Sequence, residues 1–407
     1  MPPYRSNPVI ADHLVIYTLI HQPRRIRIPA APIPKRASVE ALEQTLFDDE
    51  LNRAYLEKVA RRSYRPAIQI WRELLTKGMK LGLGIPLSTI FQFEAWDPQL
   101  LATLKTLVGH DRCDLVATEP YHAISMLLDL QLFSKGMQRS VYDLQRHFGK
   151  TPRVADTTEL MMSPSIAQIL ARAGFDGGFV DGRSWVLHEE SAPLYSERGR
   201  LPLLARHLQL SDDVAYRFSD RMWPNWPLTA EHFADRISSA PNELVTLGWD
   251  FETFGEHHDA ETGILDFLRA LPSALDSRGI ICLTPSEAIT HFQPKACDLQ
   301  LSAFPSTWAG HHGGLDFFLG NDSQHVLFGL MMSAYGAAKL SEDENVIDIA
   351  HLLMQSDNLH WLQWIGQEGS DAEVSEYFTP MEWKSLGTDT FTNHHRQVYV
   401  NFINAIS

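Results

Sequence analysis

The stretch ELVTLGWDFETFGEHH, residues 243–258, joins an apolar run to a dense group of ionisable side chains. Its first half has the apolar and β-branched composition of a buried strand. Asp250, Glu252 and His257 follow directly behind that half. In parallel α/β barrels the carboxyl ends of the strands form the face that carries function. The stretch therefore predicts a barrel strand that ends in a functional site.

Further apolar runs have the same character and alternate with helical patterns. They are HLVIYTLI (13–20), MKLGLGIPLS (79–88), CDLVAT (113–118), FDGGFVDG (175–182) and GIICLTP (279–285). Residues 38–78 show apolar positions three and four apart, as amphipathic helices do. This alternation predicts an α/β fold with a parallel sheet or barrel. We expect the barrel to occupy residues 1–297 and a helical C-terminal region, residues 298–407, to pack on it.

The composition excludes several classes of protein. Hydrophobic residues make up 44% and charged residues 21% of the chain, which is ordinary for a globular protein. With 35 Lys and Arg against 50 Asp and Glu, the net charge of −15 repels nucleic acid. The apolar run near the N-terminus is too short for a signal sequence or a membrane span. Three widely spaced cysteines fit a reducing compartment, so we expect a cytoplasmic protein without a membrane partner.

Polar residues stand where four of the predicted strands end. His21 lies in HQP, His122 in EPYH and Asp181 in a DG pair, and Asp250 ends the opening strand. Asp250 and Glu252 are two apart, so their side chains project to one side of an extended segment. Each residue alone has a structural explanation as a helix cap, a turn or an ion-pair partner. Their recurrence at four strand ends favours one shared site.

Aromatic residues offer weaker support for a carbohydrate ligand. Sugar rings stack on exposed indoles, whereas most indoles serve the core because they bury so much area. The candidates are Trp96, Trp223, Trp226, Trp249, Trp308, Trp361 and Trp364. The chain lacks GxxxxGK[ST], GxSxG and HExxH sequences, which removes the sequence support for P-loop, serine-hydrolase and zincin chemistry.

Together these stretches resemble glycoside hydrolase family 57, in its α-amylase-like branch. The resemblance is carried by HQPRRIRI (21–28), EPYHAIS (119–125), GFDGGFVDG (174–182), WDFETFGEHH (249–258), the segment 208–237 and STWAGHHGGLDFFLGNDSQ (306–324). It implies an incomplete parallel (β/α)7 barrel with a helical C-terminal region. It also implies retaining hydrolysis of α-glucan or malto-oligosaccharide without a cofactor or a metal.

Residue roles follow from the same resemblance. The acid/base Asp of the fourth motif falls on Asp250, and the nucleophile position of the third motif falls on Asp181. That assignment implies His21, His122, Glu252 and His257 as residues that hold sugar hydroxyls. Trp223 and Trp249 are the expected aromatic contacts of the substrate.

The chain departs from the family pattern at three places. Asp181 stands where active members carry Glu, and its shorter side chain draws a nucleophile back by roughly 1 Å, which can remove two decades of rate. Pro120 replaces an aromatic residue, and QSDNLHW (355–361) replaces the family's usual run in the tail. These departures leave weak or lost hydrolysis open.

Two other hypotheses stand beside the hydrolase. The first is a glucan-binding or regulatory protein that kept the cleft and lost turnover, for which Asp181 is the discriminating residue. The second is a metal-dependent deacetylase on a similar barrel, although HQPRR offers neither an Asp pair nor an HxxxH pair.

Overall fold

The computed structural model describes residues 11–364, of which Trp364 by its backbone alone, and residues 380–407. The strands are β1 (His13–Leu19), β2 (Leu81–Gly84), β3 (Cys113–Ala117), β4 (Val154–Ala155), β5 (Gly177–Asp181), β6 (Tyr195–Glu197), β7 (Leu201–Arg206), β8 (Leu244–Asp250), β9 (Ile281–Leu283) and β10 (Cys297–Leu299). All six strands predicted from apolar runs are present. The strands β4, β6, β7 and β10 were not predicted.

The helices surround these strands and form most of the tail. They are α1 (Val39–Leu46), α2 (Asp49–Val59), α3 (Arg65–Thr76), α4 (Leu87–Trp96), α5 (Pro98–Val108), α6 (Ser125–Leu128), α7 (Leu130–Phe148), α8 (Pro164–Arg172), α9 (Ser184–Leu187), α10 (Leu208–Ala215), α11 (Ala230–Ser238), α12 (Ile264–Asp276), α13 (Pro285–Phe292), α14 (Asp316–Leu319), α15 (Asp322–Ser341), α16 (Glu344–Leu352), α17 (Ser356–Trp364), α18 (Met381–Lys384) and α19 (Thr388–Ile406). A π-helical turn spans Ala60–Tyr64, and 3₁₀ turns span Thr158–Leu160, Phe251–Thr253, Ala260–Thr262 and Gln293–Lys295.

Seven parallel strands close into a barrel, which confirms the predicted fold class. Their order is β1, β2, β3, β4, β5, β7 and β8, and β8 returns to β1. The β1–β8 pairing runs from His13 opposite Leu244 to Leu19 opposite Asp250. The β7–β8 seam rests on one pair, Arg206 opposite Thr246. All strand ends that the sequence marked as functional therefore lie at one end of the barrel.

Alternate residues of the strands fill the barrel interior. Tyr17 of β1 stacks on Phe179 of β5 with ring centroids 4.3 Å apart, although β1 and β5 are not neighbours in the sheet. This contact crosses the barrel, so odd-numbered residues of β1 and β5 point inward. The outward residues pack under helices such as α3, whose apolar residues recur at helical spacing. His13 packs against Phe292 of α13, which covers the amino-terminal end of the barrel.

The helices α14 to α19 lie in the tail beyond β10 and reach the barrel ends. Ile124 N–H donates to Met354 O at 2.9 Å, and Ser356 N–H donates to His122 O at 3.0 Å. These contacts bring the start of α17 to the loop that follows β3. The division of the chain at residue 297 remains a prediction.

Candidate active site

Four loops meet above the carboxyl end of the barrel. His21 follows β1 and His122 follows β3, and their rings lie 4.2 Å apart between centroids. Asp250 is the last residue of β8 and stands opposite Leu19 of β1 in the strand register. The structure thus brings His21, His122 and Asp250 to one place, as the sequence predicted.

Each of the two histidines is paired with a carboxylate that the sequence interpretation missed. His21 Nε2–H donates to Asp357 Oδ2 at 2.9 Å, and His122 Nε2–H donates to Glu159 Oε1 at 3.3 Å. Burial lowers the pKa of His21, and Asp357 offsets only part of that effect. Burial also opposes the protonated form of His122, but Glu159 outweighs it and raises the pKa of His122 to about 9. The pair of His122 and Glu159 is therefore an ion pair at neutral pH.

Glu159 is the carboxylate with the most donors in this cluster. Besides His122, Ser356 Oγ donates to its Oε1 at 2.9 Å and Trp308 Nε1–H to its Oε2 at 2.7 Å. Burial alone would raise the pKa of Glu159, but the hydrogen bonds from His122 and Trp308 and the charge of His122 hold it below the usual value. About 15% of the side chain stays exposed. Glu159 is thus ionised and open to a ligand.

The backbone at this position is also unusual. Glu159 has φ +57° and ψ +30°, and His122 has φ +56°, both in the left-handed region that side chains rarely adopt. Non-glycine residues in that region cluster at functional sites, where the surroundings hold them in place. The hydroxyl of Thr307 supports the turn by donating to Glu159 O at 2.7 Å.

Asp250 has the opposite electrostatic character to Glu159. Burial, followed by the negative charge of Glu159, raises the pKa of Asp250 to about 7. Asp250 therefore keeps its proton up to near-neutral pH, while Glu159 has lost its own. Two neighbouring carboxyl groups whose pKa values are driven apart are the arrangement that glycosidases use for a general acid and a nucleophile.

Asp181 lies at the end of β5 in a different environment. Its side chain is 0% exposed, and Oδ1 accepts Arg183 N–H at 3.0 Å and forms an ion pair with Arg183 Nη1 at 2.8 Å. Burial raises the pKa of Asp181, and Arg183 and Arg206 oppose the shift. The contacts of the Asp181 carboxylate thus go to arginines and not to the histidine pair. A nucleophile in this position would have to leave a buried ion pair to reach a substrate.

Glu252 and His257 follow β8, and Glu252 is buried whereas His257 is half-buried. Glu252 is 1% exposed and accepts hydrogen bonds from the backbone N–H of His21 at 3.1 Å and from the hydroxyl of Tyr64. Burial and the charge of Asp250 raise the pKa of Glu252 well above its usual value. Burial, with the nearby His258, lowers the pKa of His257 to about 3. Glu252 therefore fixes the backbone of His21, and a direct contact with sugar remains a prediction for both residues.

The two tryptophans expected to contact the substrate are placed less favourably. Trp249 is 1% exposed and donates to Ser211 O at 3.0 Å, because its neighbour Asp250 takes the inward side of β8 and leaves the outward side to the indole. Its ring packs on Phe254 in the core and presents no free face, which corrects the expectation for Trp249. Trp223 is half-buried with the guanidinium of Arg236 5.7 Å from its ring centroid.

Two other aromatic residues border the site. Trp308, one of the indoles singled out in the sequence, holds Glu159. Tyr216 follows α10 with 52% of its surface exposed, while burial of its hydroxyl and the charges of Asp212 and Asp250 raise its pKa. Tyr216 therefore presents an exposed ring, and its hydroxyl lies within electrostatic range of Asp250. The side chain of Trp364 lies outside the described residues.

Within residues 11–364 and 380–407, no group of three or more His, Cys, Asp or Glu is arranged to hold a metal ion. No helix in this part of the chain is long and apolar enough to span a bilayer.

Known proteins are similar to this chain in sequence or in fold. A Methanocaldococcus jannaschii protein named "Putative alpha-amylase" is 28% identical over 375 residues, which cover 88% of this chain and 78% of that protein. The 4-alpha-glucanotransferase of Thermococcus litoralis superposes with a TM-score of 0.64 at 15% identity, over 93% of this chain and 60% of that one. The GH57-type branching enzyme of Pyrococcus horikoshii gives 0.61 at 14% identity, over 90% and 87%.

The similarity to these two solved structures concerns the fold alone. This chain spans less than two thirds of the length of the glucanotransferase. The sequence match is more specific. The family model "Glycosyl hydrolase family 57" matches residues 15–301. That range runs from within β1 to just beyond β10 and contains His21, His122, Glu159 and Asp250. The chain therefore belongs to glycosyl hydrolase family 57.

Proposed function

We propose that this protein is an α-glucan-acting glycoside hydrolase that works with retention of configuration, with Glu159 as the nucleophile and Asp250 as the general acid and base. One observation carries the proposal: in a single cluster, the pKa of Glu159 is held low while that of Asp250 is raised to about 7. Family membership supports a glucan-active enzyme. The names of the relatives, which include an α-amylase and a 4-alpha-glucanotransferase, support an α-glucan as the substrate.

The reaction follows from the two protonation states. Asp250 donates its proton to the glycosidic oxygen, and the Glu159 carboxylate attacks the anomeric carbon as the bond to the leaving sugar breaks. Water then gives a proton to the Asp250 carboxylate and attacks the same carbon, which releases Glu159. Two inversions at one carbon retain the α configuration.

The histidines and the tail prepare this chemistry. His122, Ser356 and Trp308 keep Glu159 ionised and oriented before substrate binds. His21, held by Asp357, lies beside His122 and presents a polar surface for the hydroxyls of the sugar. We keep Glu252 as the support of the His21 backbone and place the substrate against Tyr216 rather than Trp249.

This assignment replaces Asp181 as the nucleophile. The glucan-binding hypothesis depended on the short side chain of Asp181, and a glutamate in the cluster supplies the full reach. The substitution Asp181→Glu would then add a methylene inside a buried ion pair and is expected to lower activity rather than raise it.

Rescue by azide tests which carboxylate is the nucleophile. In Glu159→Gly, a change that suits the left-handed backbone, turnover of a 4-nitrophenyl α-malto-oligosaccharide should fall by at least about 10³. Added azide should restore it by attacking the anomeric carbon as 4-nitrophenolate leaves with the bonding pair, which yields a β-glycosyl azide. Asp181→Asn is the matched control and should show no azide product.

Other outcomes would change the assignment. An azide adduct from Asp181→Gly alone would return the nucleophile to Asp181. Calorimetric binding of maltoheptaose by the wild type, with no sugar released and no transfer product, would favour the glucan-binding protein.

We also propose a cytoplasmic location. Cys113 is buried and Cys282 and Cys297 are partly buried, and all three thiols are unpaired. Free thiols of this kind persist in a reducing compartment.

A further inference from the structure

Asp181 and Arg183 form a compact ion pair just beyond β5. Arg183 is 8% exposed, and its backbone N–H and Nη1 both meet Asp181 Oδ1. The carboxylate therefore fixes both the start and the end of the arginine side chain. A buried guanidinium with one of its edges held in this way presents its other donors in a fixed direction.

Those donors hold a loop that follows β10. Arg183 Nη1–H donates to Thr307 O at 3.0 Å, and Nη2–H donates to Trp308 O at 3.3 Å and to Gly310 O at 2.5 Å. Gly313 has φ +69°, and a Cβ there would lie 2.7 Å from Arg183 Nη1. The loop thus folds tightly over the guanidinium, and Gly313 allows that approach.

The same loop contacts the proposed nucleophile. Trp308 donates its indole N–H to Glu159 Oε2, and its backbone N–H donates to Glu159 O at 3.2 Å. The guanidinium of Arg206, which stands opposite Asp181 in the β5–β7 register, lies 5.4 Å from the centroid of the Trp308 ring. Both arginines that neighbour Asp181 therefore touch Trp308, one through its backbone and one through its ring.

We propose that Asp181 is a positioning residue: through Arg183 it holds the loop from Thr307 to Gly310 so that the Trp308 indole is aimed at Glu159. The inference rests on the proposed role of Glu159 as the nucleophile. It gives a function to an acid that lies at a strand end and does not reach the histidine pair. It also explains why a carboxylate, rather than an amide, occupies the position, since the buried guanidinium of Arg183 needs a countercharge, whereas Arg206 pairs with Asp212 at 2.7 Å.

The direction in which the acidic limb of the pH profile of kcat/KM moves distinguishes this positioning role from a direct electrostatic effect of Asp181 on Glu159. Loss of a nearby negative charge would by itself make Glu159 easier to ionise and move the acidic limb of kcat/KM to lower pH. Loss of the Trp308 hydrogen bond makes Glu159 harder to ionise and moves that limb to higher pH. For Asp181→Asn we expect about a tenfold fall in kcat/KM and an acidic limb shifted upward.

A double-mutant cycle tests the route through Trp308. Trp308→Phe keeps an aromatic ring over Arg206 and removes the donor, so it should shift the acidic limb in the same direction. In the combined variant Asp181→Asn with Trp308→Phe, the limb should move no further than in Trp308→Phe alone. Additive shifts, or a downward shift in Asp181→Asn, would overturn the proposal.

A second substitution and a control cover loss of stability. Arg183→Lys leaves Asp181 in place but cannot reach all three carbonyls, and it should reproduce the upward shift. Asp213 is another buried carboxylate that pairs with two arginines, Arg217 at 2.9 Å and Arg236 at 2.5 Å. Asp213→Asn should lower the melting temperature and leave the acidic limb unmoved.

The outcomes also distinguish this inference from the proposed function. If Glu159→Gly keeps its activity, Glu159 is not the nucleophile and the proposed function is wrong. A shift of the acidic limb in Asp181→Asn could then not be assigned to Glu159. If Glu159→Gly is inactive and rescued by azide while Arg183→Lys and Asp181→Asn leave the acidic limb unchanged, the function stands and the positioning role of Asp181 fails.

Discussion

The raised pKa of Asp250 means that its ionisation destabilises the folded protein. The pH dependence of the free energy of unfolding therefore reports this pKa without any substrate. The folded protein holds the proton on Asp250 up to a pH of about 7, whereas the unfolded chain releases it near the usual 3.8. Between these values the folded state binds more protons, so stability falls as pH rises. Asp250→Asn removes that loss. We therefore expect an inactive variant that is more stable than the wild type at alkaline pH.

The size of the effect follows from the two pKa values. A shift from 3.8 to about 7 corresponds to roughly 4 kcal/mol as an upper limit at pH 8, at about 1.4 kcal/mol per unit. At pH 5, which is about 1.2 units above the pKa of the unfolded chain, the loss of stability amounts to only roughly 1.6 kcal/mol. The gain from Asp250→Asn should thus grow by about 2.5 kcal/mol between pH 5 and pH 8, which is about 3 °C in melting temperature for a chain of this length.

Asp357 supplies a control of the opposite sign. Burial opposes its charge, but His21 outweighs that effect and lowers the pKa of Asp357 to about 2 from the usual 3.8. The stability it contributes is present above pH 3.8 and is lost as pH falls toward 2. Asp357→Asn should therefore lower the melting temperature at both pH values, and more at pH 5, because loss of the carboxylate also disfavours the protonated form of His21 in the folded protein.

The assay is thermal unfolding of the wild type and both variants at pH 5 and pH 8. A stability gain in Asp250→Asn that does not increase with pH would mean that Asp250 is already ionised in the folded protein. In that case Asp250 has no proton to donate at neutral pH, and the assignment of the acid would be refuted.

Three further predictions concern the site. The kcat/KM of the wild type on malto-oligosaccharides should be bell-shaped, with an acidic limb below pH 4.5 from Glu159 and an alkaline limb near pH 7 from Asp250; a single limb at pH 4.5 would contradict the pairing. Trp249→Phe should cost about 1–2 kcal/mol of stability through its lost hydrogen bond and leave the KM for maltoheptaose unchanged; a KM raised tenfold would restore Trp249 as a substrate contact. Treatment with a chelator should leave glucan activity unchanged, and a loss reversed by one divalent ion would show that the chemistry needs a metal.

The strand ends could be read from the sequence because they follow long apolar runs. His21, His122 and Asp250 each stand behind such a run, and parallel strands must bring their ends to one face. The fold class was predictable for the same reason, since six runs alternate with helical patterns. The face of the strand to which each side chain points was harder to predict. Trp249 and Asp250 are adjacent, and only the closed barrel shows which of them faces inward.

Glu159 was missed because its strand is too short to give a pattern. Only Val154 and Ala155 pair in β4, and a run of two residues has no periodicity. The following Asp-Thr-Thr-Glu resembles the start of a helix, where an acid needs no functional explanation. The contacts of Trp308 and Ser356 join positions far apart in the chain, and local spacing does not encode them. A glutamate four residues behind a weak apolar pair, near the level of the other strand ends, was the available signal.

The contribution of the tail to the site bears on how relatives are recognised and dissected. The match to the family ends at residue 301, while Ser356 and Asp357 lie beyond it and hold Glu159 and His21. A search restricted to the barrel will collect chains whether or not they carry these two partners. Likewise, a fragment cut after β10 would leave His21 without Asp357 and Glu159 without Trp308 and Ser356, so the barrel and the tail should be expressed, transplanted and compared as one unit.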